Sequence, residues 1–597
     1  MKLCARVARL TAMICTITWI FSLVMSVHIV NNSEALAAAV AADGTPAYER
    51  RNMKNDAGAV PVAVKKRRRV VEISGPAELN QPDTEYVLTR DVVAEGTAFT
   101  IKASYITLNL NSHTVTYDTR ELGKGPKGAF GITISEFNLK DIAIVNGVIK
   151  QGAANGSGQA GGLGHNPVFA QGPEQLELAG LSITYGGKDI SGLYVNYGSK
   201  IQIHHNTIND TGTIISNRHQ GLDAVLIEHA DADIHNNLVT RCRHRAFTFG
   251  SHSKAYNNDI TIDSYATNAY GFMCFKIDGF SIHHNRIFGS GEHPVGIGVI
   301  AGATNGEVFE NYVEVQNTRR GEEYGDTGAA CFRTTWGADN LVVRNNTFIL
   351  RADDNYHGTG VRSCGRALWI GLPGARQRAV FHDNLIVALN SDGKAKAAAV
   401  AVVCDNESPG LVIRNNRIIS NWANVLLGDA YGFSSGFPRF IENEFVKQDN
   451  HASYRTIRSD YPYGVSTAFF MDNHFEKGAS QESLDLQFEG DGRKEIIVAW
   501  SKSIEVRDKK ARPLPDAHVL VRDRSGKTVF EGTSDTKGMV RLELVRYQLA
   551  NSGNGAKKGG RQKETKTPYM VTVSKGGFKA EVRVDYNEQS GIQVIDI

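Results

Sequence analysis

The chain has 597 residues, 60 of them glycine, 22% charged and 41% hydrophobic, with a formal net charge of +3 at pH 7. That length supports more than one ordinary core. Near-neutrality leaves no electrostatic footprint for nucleic acid, which is excluded as a partner, and glycine without a G-X-Y period excludes collagen.

Residues 1–37 read as a signal peptide. Lys2, Arg6 and Arg9 form a basic start, an apolar run follows, and Ala35-Leu36-Ala37 supplies small residues for cleavage. The expectation is a secreted or periplasmic protein of the cell envelope, with no integral membrane domain in the mature chain. A retained anchor is the alternative, because the run is longer than most export signals need. Residues 38–70 form a polar leader with Lys65-Lys66-Arg67-Arg68-Arg69, expected to be flexible and solvated.

From 71 to 490 one pattern recurs. Ile203-His204-His205-Asn206-Thr207-Ile208 returns as Ile234-His235-Asn236-Asn237-Leu238-Val239 and as Ile282-His283-His284-Asn285-Arg286-Ile287. In each, an apolar residue stands three before an asparagine and another two after it. The keyed residues are Asn206, Asn237, Asn258, Asn285, Asn311, Asn346, Asn384, Asn416, Asn443 and Asn473. Short apolar segments at such a period, without helical spacing, mean one solenoid coil per repeat. The sharp bend between strands needs a residue tolerant of left-handed backbone, which the keyed Asn is expected to supply. Stacked Asn side chains would also form a ladder of amide hydrogen bonds. The fold class is therefore all-β, a parallel β-helix. The repeat is stretched over 316–327 and 351–366, and such insertions gather on the binding side of solenoids.

The Asn-x-Ile coils, with Ile106-Thr107-Leu108-Asn109-Leu110-Asn111 as an early strand, resemble the pectin-lyase-like superfamily of right-handed parallel β-helices. That resemblance implies a long groove facing a polysaccharide. It leaves the activity open, because the superfamily holds lyases, hydrolases, C5-epimerases and non-catalytic surface proteins.

Residues 500–597 lose the repeat. Apolar strands alternate with turns such as Thr533-Ser534-Asp535-Thr536-Lys537-Gly538, a pattern that resembles the carboxypeptidase regulatory-like (transthyretin-like) β-sandwich. After signal cleavage five cysteines remain, Cys242, Cys274, Cys331, Cys364 and Cys404, with no CxxC pair. They are expected to be inert core thiols.

The chemistry is sought among cations near the strands. Proton abstraction beside a uronate carboxylate needs a base and a group that neutralises the carboxylate. His219 and His244 are the expected base or acid, with Arg245, Lys276 and Arg333 neutralising charge. Arg218, His293, Tyr324, His357, Arg362 and Arg366 are expected to bind substrate. Ca²⁺ enters as a possible cofactor through Glu322, Glu323 and Asp326. No other metal site is expected, because no zinc-ligand spacing is present. The expected function is a polysaccharide lyase on an acidic, uronic-acid-containing polymer. The alternatives are a C5-epimerase and a non-catalytic glycan-binding scaffold, and the expected state is a monomer.

Overall fold

The computed structural model describes residues 68–597 apart from 121–127, 153–164, 188–189, 213–222, 265–268, 292, 319–328, 336, 353–364, 373–376, 391–398, 407–409, 429–435, 450–453, 460–465, 487–492, 552–560 and 586–591. The described residues form strands and turns and contain no helix. Each coil lays down three strands. In one representative coil, Ala232–His235 builds a first face, Leu238–Cys242 a second and Arg245–Thr248 a third. The next coil repeats them in parallel register, with Ile234 beside Ala255, Val239 beside Ile260 and Phe247 beside Phe272. The third face is one sheet of 15 strands, and the whole body is a right-handed parallel β-helix as the repeat predicts.

Parallel register puts like residues above like. On the third face one inward column runs Phe247, Phe272, Ile297, Phe332, Leu368 and Val402, all within one continuous core. Phe247 and Phe272 stack at 5.2 Å. Each such side chain contributes about 1.5–3 kcal/mol through burial, so the axis is held together coil by coil.

The first corner carries the asparagine ladder. From Asn206 to Asn443 each keyed Nδ2 donates to the Oδ1 of the next at 2.9–3.1 Å. The same Nδ2 also donates to a main-chain carbonyl of the coil before, as Asn237 does to Ile203 and Asn258 to Ile234. The left-handed residue, however, is not the keyed Asn. It is the residue immediately before it: His205, Asn236, Asn257, His284, Glu310, Asn345, Asp383, Asn415, Glu442 and Asp472 have φ between 53° and 57°. The bend and the ladder are thus separate tasks carried by neighbouring residues. The keyed side chain is fixed by its amide partners, and the preceding residue turns the chain.

The histidines beside this corner are structural. His204, His235, Tyr256, His283 and Phe309 stack in successive coils at 4.6–5.1 Å with interplanar angles of 3–13°. Cys242, Cys274 and Cys331 are buried free thiols, and burial pushes each up in pKa; Cys404 is buried as well. Cys364 lies outside the described residues.

At the C-terminal end the ladder changes direction. Lys494–Arg507 pairs along one edge in parallel, first with Ser466–Met471 of the last coil and then with Ile592–Asp596, and along the other edge antiparallel with Met539–Asn551. Trp500, Ile504, Val519, Leu542, Tyr569 and Val571 belong to a second core. A four-stranded antiparallel sheet, Thr528–Thr533, His518–Arg522, Tyr569–Lys575 and Phe578–Val584, completes this end.

Candidate functional site

The third face is where the long connections meet. Chain enters it between Asn317 and Ala330, between Ala352 and Gly365 and between Asn390 and Ala399, and leaves it between Leu427 and Arg439. Its outward side carries two columns. One passes Arg245, Tyr270, Val295, Ala330, Arg366 and Val400; the other passes Thr248, Met273, Gly298, Arg333, Trp369 and Val403. Gly298 is required in the second, because a Cβ there would lie 2.5 Å from the Tyr270 ring.

Where the chain enters the third face, His244 and Arg245 sit against Asp223, at 3.9 Å from Nδ1 and 2.6 Å from Nε. Asp223 is fully buried, and desolvation raises its pKa even though Arg245 and Thr248 oppose the shift. Arg245 also reaches the Met273 sulfur at 3.2 Å.

Farther along the axis lies a second cluster. His293 directly precedes the strand Pro294–Ile300, and Arg333 and Arg366 stand on the next two strands. Trp369 packs against both guanidiniums, at 4.1 Å from Arg333 and 4.0 Å from Arg366, an attraction of the kind that exceeds ~2 kcal/mol once desolvated. Arg333, Trp369 and Arg366 are 4%, 3% and 0% exposed. Ala330 stands directly between Val295 and Arg366 in its column. Burial, then Arg366, then Arg333 push the His293 pKa down to about 4, so the imidazole is neutral at neutral pH. Trp422 directly precedes the strand two coils beyond Trp369, and Arg458, one coil farther on, covers it at 4.0 Å in the same manner.

The structure thus brings His293, Arg333 and Arg366 together and sets His244 and Arg245 beside Asp223. It does not bring Lys276 to either group. Lys276 stands one residue past the end of Ala269–Phe275, with φ 54°, on the corner where the chain leaves the third face. His244 and His293 stand one residue before their strands, so a strand's length separates them from Lys276. Arg218, His219, Tyr324, His357 and Arg362 lie outside the described residues, as do Glu322, Glu323 and Asp326. Among the described residues no group of three or more His, Cys, Asp or Glu side chains is placed to hold a metal ion.

Sequence reasoning passed over Asp223, Trp369 and Trp422. Asp223 carried a signal: an acidic residue directly before a third-face strand, one coil from a His-Arg pair. The tryptophans carried none, because connections of unequal length hide their alignment with Arg333 and Arg458.

No family model matches the chain, and no curated protein matches it. Several solved structures resemble it. A variant tailspike protein of E. coli bacteriophage HK620 in complex with a pentasaccharide is 9% identical over 84% of each chain, with a TM-score of 0.39. The A-module of the Azotobacter vinelandii mannuronan C-5 epimerase AlgE6 is 10% identical over 68% of this chain and 91% of its own, with a TM-score of 0.32. The Dettilon tailspike protein is 12% identical over 85% of this chain and 73% of its own, with a TM-score of 0.32. At such scores these likenesses say nothing of this chain's activity.

Proposed function

We propose that the protein is an exported carbohydrate-active enzyme that acts on a uronic-acid-containing polysaccharide by removing the proton at C5. The observation that carries this reading is the juxtaposition of a neutral, buried imidazole, His293, with the two guanidiniums of Arg333 and Arg366. Arginine forks neutralise a carboxylate and so acidify the adjacent C–H bond. A neutral imidazole then accepts the proton. The carboxylate itself offsets the positive field of the arginines, which raises the affinity of His293 for that proton when it is needed. In β-elimination the C5–H electrons form the C4–C5 double bond, the C4–O4 bond breaks, and the proton held by His293 passes to the departing O4. In epimerisation the C4–O4 bond stays intact, His293 keeps the proton it removed, and a proton from water adds to the opposite face of C5. His293 replaces His244 as the favoured base because Arg333 and Arg366 stand beside it to receive the substrate carboxylate, which Asp223 beside His244 would repel.

A second reading, a non-catalytic glycan-binding scaffold, is favoured by the depth of the cluster: Arg366 is wholly buried, as a structural brace would be. One assay separates the readings. The mature chain is incubated with polygalacturonate, alginate and hyaluronan, with and without Ca²⁺. Ultraviolet absorbance reports an unsaturated product, and proton NMR of the same samples reports epimer ratios. New absorbance that His293→Asn abolishes supports elimination. Altered NMR ratios without absorbance support epimerisation, and retention of polymer without either change supports the scaffold.

A further inference from the structure

Two aromatic stacks run along the β-helix, and they differ in kind. The first-face stack from His204 to Phe309 is half-buried, and its rings lie within 13° of parallel, each covering the next. The second stands on the corner where the chain leaves the third face. There Tyr197 and His229 stack at 4.7 Å, but Phe137 is tilted 41° from Tyr197 at 6.3 Å, so those two rings diverge instead of closing on each other. Phe137 and Tyr197 remain 56% and 55% exposed. Two strands farther along the corner, Phe275 is 40% exposed with Lys276 beside it.

The turn at this corner has a cost in backbone energy. Tyr197 has φ 55°, a conformation that costs a bulky side chain about 1–2 kcal/mol. The equivalent position one coil earlier is Gly172, at φ 61°, which bears no such cost. Gly172 has a separate task, because a Cβ there would lie 2.4 Å from the Phe137 ring. Beside the rings Glu228 is exposed and accepts a hydrogen bond from the Tyr194 hydroxyl at 2.5 Å, which fixes its carboxylate.

We infer that Phe137, Tyr197 and His229, with Glu228, form a sugar-stacking surface that holds the apolar faces of pyranose rings while the carboxylate accepts their hydroxyl hydrogens. Exposed aromatic rings with a polar neighbour are the chemistry that recognises such rings, apolar on one face and hydroxylated at the edge. The inference rests on the polysaccharide reading above and extends it to a second contact region. Four ladder steps separate the strand Leu193–Asn196 from Pro294–Ile300, which at the usual strand spacing is about 19 Å along the axis, and the width of the third face separates the two corners besides. A chain of several sugars spans that length, and a disaccharide does not.

The test is affinity electrophoresis of the full chain through gels containing polygalacturonate, alginate or hyaluronan, with turnover of the same polymers followed by absorbance and NMR. The variants are Phe137→Ala combined with Tyr197→Gly, and Tyr197→Phe alone. Glycine at 197 relieves the backbone, and a melting temperature matching that of the wild type shows that weakened retention does not come from misfolding. The expected result is a rise of about tenfold in the polymer concentration for half-retention in the double variant, and none in Tyr197→Phe. Retention lost in the double variant, with no turnover by the wild type, would support the surface and overturn the catalytic reading. Unchanged retention in the double variant, with turnover intact, would overturn the surface and leave the catalytic reading standing. Failure of the wild type to be retained by any of the three polymers would overturn both.

Discussion

The side-chain amide of Asn311 donates to Oδ1 of Asn346 at 2.9 Å, and the main-chain amide of Asn311 donates to the same oxygen at 3.0 Å. One acceptor therefore serves two buried donors of the neighbouring coil, and Asn311 does the same for Asn285. Replacing Asn311 by Ala leaves the buried main-chain N–H of Asn285 without its acceptor, while the Asn285 Nδ2 keeps the carbonyls of Ala255 and His283, and an orphaned buried donor costs its desolvation. The expected destabilisation is about 2–4 kcal/mol by denaturant unfolding. Asn473, at the less buried end of the ladder, should cost clearly less. Equal losses at both positions would mean that burial does not set the cost of a ladder asparagine.

The division of labour at the corner gives a contrast of signs. Glu442 carries φ 54° and Asn443 is the buried ladder residue after it. Glu442→Gly should stabilise by up to about 1 kcal/mol, because glycine enters the left-handed region freely. Asn443→Gly should destabilise by more than that. If the keyed residue were the one making the bend, the two substitutions would exchange signs.

The ladder was legible in the sequence and the bend was not, for one reason. The amide function tolerates no substitute, so Asn recurs at the keyed position. Left-handed backbone tolerates several residues, so the position before it reads as His, Asn, Glu or Asp and shows no period. The candidate site was legible only in part, for a related cause. Arg333 and Trp369 are direct neighbours on adjacent strands, yet a connection of irregular length lies between them in the chain. The spacing from the keyed Asn therefore does not align them. Lys276 was misplaced by the same uncertainty, because a few residues separate the two corners of the third face.

Protonation of His293 should be visible in stability. Its pKa is about 4 in the folded protein, below the ordinary value of 6.5. Between those values the unfolded chain binds the proton and the folded chain does not. The contribution is therefore complete above about pH 6.5 and is lost as pH falls toward 4, a change of about 3 kcal/mol. His293→Asn should flatten the acid limb of a melting-temperature profile over that interval. An unchanged limb would place the acid sensitivity elsewhere.

The C-terminal region should not behave as a detachable domain. Lys494–Arg507 pairs with the last coil on one side and with Met539–Asn551 on the other. Ending the chain after Arg507 strips one side of that strand and uncovers Ile496, Val498 and Ile504. The truncated protein is expected to melt at a lower temperature and to aggregate through the exposed edge. A melting temperature equal to that of the full chain would show that the coils end independently.

The reversal of strand direction at Lys494–Arg507 also gives the molecule a polarity that limits how its length can change. Backbone pairing joins each coil only to its neighbours, so one whole turn, from just after one ladder asparagine to the next, is a removable unit, and so is an added copy. Such editing is confined to the interior of the array, because the antiparallel pairing forbids another parallel turn beyond it. The reach of the protein along a polymer is thus set by how many turns lie ahead of a fixed stop, and that number is open to redesign without rebuilding either end.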